Sequence, residues 1–204
     1  MTGFVSLKKP IVAALLCLLV ASFNTHAQTS AADIIAKARE RARNIEEFKG
    51  VLNDPDQNVR LAAFEVMVTN GDPLMRELAL DTGFASTDQV LRALAFKYAV
   101  LGLEQIILTL EKADSAPKNV QERTDAYLEK YGQKLVINID TGEVDLNTGY
   151  FSYGNKTGNI SGTVMTFTYG NYIGDLRLQD DNSLAGHVSF ANGNSQFKAT
   201  APIR

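Results

Sequence analysis

Residues 52–68 read LNDPDQNVRLAAFEVMV and residues 84–100 read FASTDQVLRALAFKYAV. At an offset of 32 residues, Asp56, Gln57, Arg60, Ala63, Phe64 and Val68 align with Asp88, Gln89, Arg92, Ala95, Phe96 and Val100, six identities in 17 positions. Val59/Leu91 and Val66/Tyr98 add apolar matches. A helical repeat of roughly 30 to 45 residues is the mark of an α-solenoid.

Around this pair the helix boundaries follow from local chemistry. Asn53-Asp54-Pro55-Asp56 reads as a turn, with Pro55 just inside or just before a helix. Val59, Ala62, Ala63, Val66 and Met67 then predict a buried stripe. Gly71-Asp72-Pro73 ends that helix and opens the next, from Leu74 to about Thr82. Ser86 or Thr87 caps a further helix in which Leu91, Leu94, Ala95, Tyr98 and Leu101 face inward, closed by Gly102. Upstream, Ala31 to Lys49 lacks Gly and Pro between its ends and has Ser30 or Asp33 as a cap. Ile34, Ile35, Ala38, Ala42, Ile45 and Phe48 form its apolar stripe. Lys37, Arg39, Arg41 and Arg43 read as a solvated face offset by Glu40, Glu46 and Glu47, the alternative being contact with an anionic lipid or acidic partner.

The segment from Leu52 to Ala63 resembles the second-helix entry of HEAT repeats, particularly the short bacterial HEAT-like type. The resemblance covers roughly Ile45 to Gly102. It implies that Asp-Pro makes the inter-helix turn, that the following Val and Ala pack inward, and that the Arg pairs with turn carboxylates as a ladder along the stack. Asp56 and Arg60, then Asp88 and Arg92, would be its rungs; Ser86-Thr87 replaces Asp54-Pro55 in the second unit, so there only capping survives. Such repeats serve as protein-binding stacks. Two units are fewer than a solenoid needs to bury its own faces, so the helix from Ala31 to Lys49 and the downstream chain are expected to cover its ends.

The N-terminus carries a charged, apolar, small-residue order: Lys8 and Lys9, an apolar run from Ile11 to Val20, then Asn24-Thr25-His26-Ala27. This predicts a secretory signal over residues 1–27, cut after Ala27, with an uncleaved anchor as the alternative. The run is shorter than the ~20 residues a spanning helix needs. The chain from Gln28 to Arg204 would be 177 residues with 18 basic and 23 acidic side chains, a net charge of −5, and would lack Cys17 and His26. No disulfide is then possible, and the negative balance argues against nucleic acid. A periplasmic or secreted protein without a stable membrane span is expected.

After Gly102 the composition turns β-branched. Glu104 to Glu111 predicts a strand, a last helical turn being the alternative, and Val120 to Tyr131 a helix ending at Gly132. From Gln133 the pattern alternates: Leu135, Ile137, Ile139, a turn at Thr141-Gly142, Val144 and Leu146, then Tyr150 to Tyr153. Gly154 to Gly158 reads as a break. Strands are expected over Ile160–Tyr169, Tyr172–Gln179, Leu184–Phe190 and Gln196–Ile203, with Pro202 suiting an edge strand. The fold class is therefore segregated α+β: a short α-solenoid of about two HEAT-like helix pairs, residues 28–103, a strand–helix connection, 104–132, and a small antiparallel β-sandwich or open barrel, 133–204.

The inventory is poor in chemistry. His187 is the one histidine after Ala27, and its place in an alternating strand points it outward. Asp140, Glu143 and Asp145 flank one turn and Asp175, Asp180 and Asp181 lie near others, but no calcium-loop spacing is present. No cofactor, metal or catalytic set is expected. Tyr150, Phe151, Tyr153, Phe167, Tyr169 and Tyr172 fall within 23 residues. Half should face outward, so Tyr150, Tyr153, Tyr169 and Tyr172 are the candidate contact surface, for protein or glycan; the competing reading is that Phe151 and Phe167 are core and the tyrosines only edge it. The reading is a non-catalytic interaction module of the cell envelope with a protein partner. The alternative is a glycan or envelope polymer held by the β-module, with the helices as support.

Overall fold

The computed structural model describes residues 30–139 and 142–203. The expected signal with Lys8, Lys9, Cys17 and His26, and the turn residues Asp140 and Thr141, lie outside the described residues. The chain divides into a compact unit ending at Asn44 and a second from Ile45 to Arg204.

The first unit contains the start of helix α1 (Ala31–Leu52). Ser30 and Asp33 cap it together. The Asp33 N–H donates to the Ser30 hydroxyl at 3.1 Å, and the Asp33 carboxylate accepts from the Ser30 hydroxyl at 2.8 Å and the Ser30 N–H at 3.1 Å. This reciprocal arrangement satisfies amide donors that the first helical turn leaves open.

In the second unit, α2 (Gln57–Asn70), α3 (Pro73–Ala85) and α4 (Gln89–Leu101) form a short stack resembling a solenoid. Each begins on an aspartate. Asp56 accepts from the Asn58 N–H, Asp72 from Met75, with Pro73 at the first position, and Asp88 from Val90 and Leu91. The α4 cap is thus Asp88 rather than Ser86 or Thr87; the Ser86 hydroxyl instead accepts the Asp88 N–H at 3.1 Å. The α2 stripe is also rotated from the expected one. Phe64, Met67 and Val68 are buried, whereas Val59, Ala62 and Val66 are exposed. Phe64 decides the rotation, because it fills the space where α3 meets α4. A Cβ on Gly83 would lie 2.6 Å from the Ala95 Cβ and 3.0 Å from the Phe64 ring.

The rest of the chain is β1 (Gln105–Lys112), α5 (Lys118–Tyr131), then β2 (Lys134–Asn138), β3 (Glu143–Asp145), β4 (Tyr150–Tyr153), β5 (Lys156–Ser161), β6 (Val164–Tyr169), β7 (Tyr172–Leu178), β8 (Ser183–Phe190) and β9 (Ser195–Pro202). All nine strands belong to one antiparallel sheet in the order β2-β1-β9-β8-β7-β6-β5-β4-β3. The fold is segregated α+β, and the sheet is a curled, open half-barrel.

Connectivity forces the curl. β2 and β3 are the two edges, yet five Cα steps separate Asn138 from Glu143. Those steps span at most about 19 Å, whereas nine flat strands would be about 38 Å wide. A hydrogen bond spans the inside: the Tyr169 hydroxyl on β6 accepts from the Asn138 side chain at 2.9 Å and its backbone N–H at 3.3 Å.

Residues 105–112 form a strand, and β1 lies between β2 and β9, so the first strand after the helices is internal to the sheet. Two expectations fail on turn chemistry. The stretch Ile160–Tyr169 is two strands parted at Gly162, whose φ of 59° permits the tight turn. Gly158 does not break the chain; it sits inside β5, facing Phe151 and Phe167 across both ladders. Pro202 does not mark an edge strand either. It ends internal strand β9 beyond the last β1 pair, Thr109 with Thr200, where one ladder no longer asks for its N–H.

The inner face of the sheet is mainly apolar, from Ile106, Leu108 and Leu110 through Met165 and Leu176 to Ala199 and Ala201. One buried cluster joins it to Phe64, Leu91 and Phe96 of the helices. Helix α5 closes one end: Tyr127 lies 5.0 Å from Phe197 and 5.1 Å from Phe190 between ring centroids, and the buried Thr124 hydroxyl accepts the Gln196 N–H at 3.0 Å.

Candidate functional site

Three of the four repeat positions, Arg60, Asp88 and Arg92, form a ladder of a different kind from Asp56–Arg60 and Asp88–Arg92 pairs. Arg60 donates to Asp88 at 2.6 Å and also to the carbonyls of Asp54 and Pro55 at 2.6 and 3.0 Å. Gln57 donates to both Asp88 oxygens at 3.1 Å. The rung therefore runs from one repeat to the next. The Arg60 bond, with those from Gln57 and two backbone amides, outweighs the burial that opposes them and holds the Asp88 carboxyl at about 2, below its ordinary 3.8. Asp56 meets no such arginine and serves as the α2 cap.

Arg92 repeats the pattern with a different partner. It donates to the Gln179 carbonyl at 2.7 Å and to the Asp180 carboxylate at 3.3 Å, both in the β7–β8 turn. That turn supplies what a third repeat would supply: one backbone oxygen and one carboxylate. The ladder is consumed inside the fold.

The tyrosines do not share a surface. Tyr150 lies on the outer face of the sheet, because it pairs with outward Asn159. Tyr153, Tyr169 and Tyr172 fall on the inner side by register, and Tyr169 is only 7% exposed. Lys156 stands 4.1 Å over the Tyr169 ring and 5.4 Å from that of Tyr153. Tyr172 shares a short hydrogen bond with Tyr127, whose hydroxyl is pushed up by burial and then by that bond. Of the four candidates, Tyr153 is exposed, Tyr150 and Tyr172 are half-buried, and Tyr169 is buried.

Two accessible features remain. The first is on α2, where Val59, Ala62 and Val66 recur at helical spacing on one face; Val66 is 58% exposed. Phe48 and Val51 near the end of α1 are also exposed. The second is a trough of about 650 Å³ on the outer face of the sheet. Register explains its form. Thr157, Thr168, Ile173, Ser189 and Gln196 make one row across the strands, and Tyr150, Asn159, Thr166, Asp175 and His187 make the other. Between the rows lies the backbone of the inward residues Gly158, Phe167, Gly174, Val188 and Phe197.

Two glycines back this floor from within. A Cβ on Gly158 would come within 2.1 Å of the Phe151 ring, and one on Gly174 within 2.2 Å of the Phe167 ring. Each phenylalanine packs against the inner side of the bare backbone of the neighbouring strand, so the floor between the rows is main chain lying directly on an aromatic ring. The Thr rows are the residues that sequence reasoning missed. Their signal was period-two polarity, Thr157-x-Asn159 and Thr166-x-Thr168, hidden beneath the more conspicuous aromatics.

His187 is exposed on this outer face, opposite Asp175. Asp181 is turned inward on its own turn, accepting from the Ser183 hydroxyl and N–H, contacts that hold its carboxyl below the usual range. Asp145 likewise accepts from Thr148 and Asn147. Among the described residues, no three His, Cys, Asp or Glu side chains come together as a metal site. No described helix is long and apolar enough to cross a membrane. Comparison with protein-family models, curated proteins and solved structures returns no match.

Proposed function

We propose that the protein is a non-catalytic, exported interaction module of the cell envelope, in which a HEAT-like helical stack docks a protein partner through α2. The carrying observation is the exposed stripe Val59, Ala62 and Val66 on a helix whose other face is fully committed to the core. Terminal repeats ordinarily present a polar outer face for solubility, and here Val59, Ala62 and Val66 interrupt it. Exposed apolar area on a stable scaffold favours a protein partner over solvent. The ladder supports the same reading, since Arg60 and Arg92 are engaged in holding the stack rigid.

The test is co-purification from an envelope fraction with the wild-type protein and with Val66→Glu. Loss of a specific partner in the variant, with thermal stability retained, supports the reading. Equal capture by both overturns α2 as the docking face. Fractionation of cells expressing the full chain tests export separately.

A further inference from the structure

We propose that the outer trough of the sheet binds a linear, uncharged polysaccharide lying across the strands, a second site independent of α2. The argument begins with what the trough withholds. Strands β5 to β8 are internal, so their main-chain groups are spent on neighbouring strands. An extended peptide seeking to add a strand finds no edge there. Recognition must come from side chains.

Those side chains suit hydroxyl groups. Thr157, Thr166 and Thr168 each offer a donor and an acceptor on a short, stiff stem. Ser189, whose hydroxyl donates at 3.5 Å to the Ile173 carbonyl, and Asn159, whose amide donates to the Thr148 carbonyl at 3.0 Å, keep their side-chain oxygens as acceptors, and exposed Ile173 adds an apolar contact. The charge of Asp175 is offset by Arg177, 3.9 Å away on the same face, which leaves the lining close to neutral. A polyanion gains little here, and a neutral polyol meets matched partners. Tyr150 at one end provides a ring against which the apolar face of a sugar can lie.

The geometry then favours a polymer over a small molecule. From β4 to β9 the trough crosses five strand spacings of about 4.8 Å, roughly 24 Å in all. A β-linked pyranose chain advances by about one strand spacing per residue. Successive sugars would therefore meet successive strands, with β5 to β8 each presenting one side chain from each row and β4 and β9 presenting Tyr150 and Gln196 at the two ends. The two outward rows form the walls, and the backbone of Gly158, Phe167, Gly174 and Val188 between them forms the floor along which the chain would lie.

The test is calorimetric titration of the full-length protein with cello- and chito-oligosaccharides from disaccharide to hexasaccharide, and with an oligogalacturonate hexamer as the charged control. Affinity rising with chain length for a neutral series supports the proposal. Thr166→Val with Thr168→Val should weaken the hexasaccharide about tenfold, the loss expected of two hydrogen bonds, with unchanged thermal stability. Ser189→Ala provides a second variant, on another strand of the Thr168 row. Val66→Glu should leave sugar binding intact, which separates this site from α2. Absence of binding by every neutral series, equal affinity for disaccharide and hexasaccharide, preference for the galacturonate, or indifference to both trough variants would overturn it.

Discussion

At the scale of single residues, Asp88 carries the most information. Its carboxylate caps α4 and accepts Arg60 from the preceding repeat, and its pKa of about 2 lies below the ordinary 3.8. A depressed carboxylate contributes stability that is present above the ordinary value and is lost as pH falls toward the folded value. Melting temperature should therefore drop between pH 4 and pH 2, and Asp88→Asn should flatten that part of the curve. Parallel curves for both proteins would show that Asp88 is not a source of the acid sensitivity. Gly174 is the other decisive residue. A methyl there would meet the buried Phe167 ring at 2.2 Å, so Gly174→Ala should cost about 1–3 kcal/mol in urea unfolding. The repeat made Asp88 legible in the sequence, but its cap and cross-repeat roles were not. Ser86 and Thr87 compete for the cap on propensity alone, and a ladder bond spans 28 residues that no local pattern connects.

At the scale of elements, the sequence located all five described helices and the start of the sheet, then lost the trough. Amphipathic spacing identified α2 but gave the wrong rotation, because Val59 and Val66 are as apolar as Phe64 and Met67. Packing volume, which sequence periodicity does not measure, resolves the choice. Phe64→Ala should therefore cost about 3–5 kcal/mol, while Val66→Glu should change stability by no more than about 0.5 kcal/mol. Urea titrations of the two variants check this, and the reverse order would place the buried stripe elsewhere. The β7–β8 turn is a second element-level feature. Arg92 holds it through the Gln179 carbonyl and Asp180, so Arg92→Ala should speed amide exchange at Asn182 and Ser183. Unchanged protection there would mean the turn orders itself through Asp181 alone. The strand division at Gly162 and the strand interior at Gly158 were read in reverse from sequence. One glycine makes a left-handed turn and the other receives a phenylalanine from the next strand, and only pairing tells them apart.

At the scale of the molecule, the helical stack and the sheet are halves of one folded unit from Ile45 onward. Two helical repeats bury too little to stand alone. The sheet completes them by placing its β7–β8 turn where another repeat's oxygens would be, and by sharing one core from Phe64 to Phe197. The segregation of helices and strands was legible in composition. The depth of their union was less so, because it rests on a strand, β1, that leaves the helices and pairs between β2 and β9. Chemical unfolding of a Tyr98→Phe variant, whose remaining tyrosines all lie in the sheet and α5, tests this most directly, followed together by helical signal at 222 nm and by near-ultraviolet tyrosine signal. One coincident transition is expected. A helical transition separated from an intact aromatic signal would show that the stack and the sheet fold independently, contrary to the shared core and the Arg92 rung.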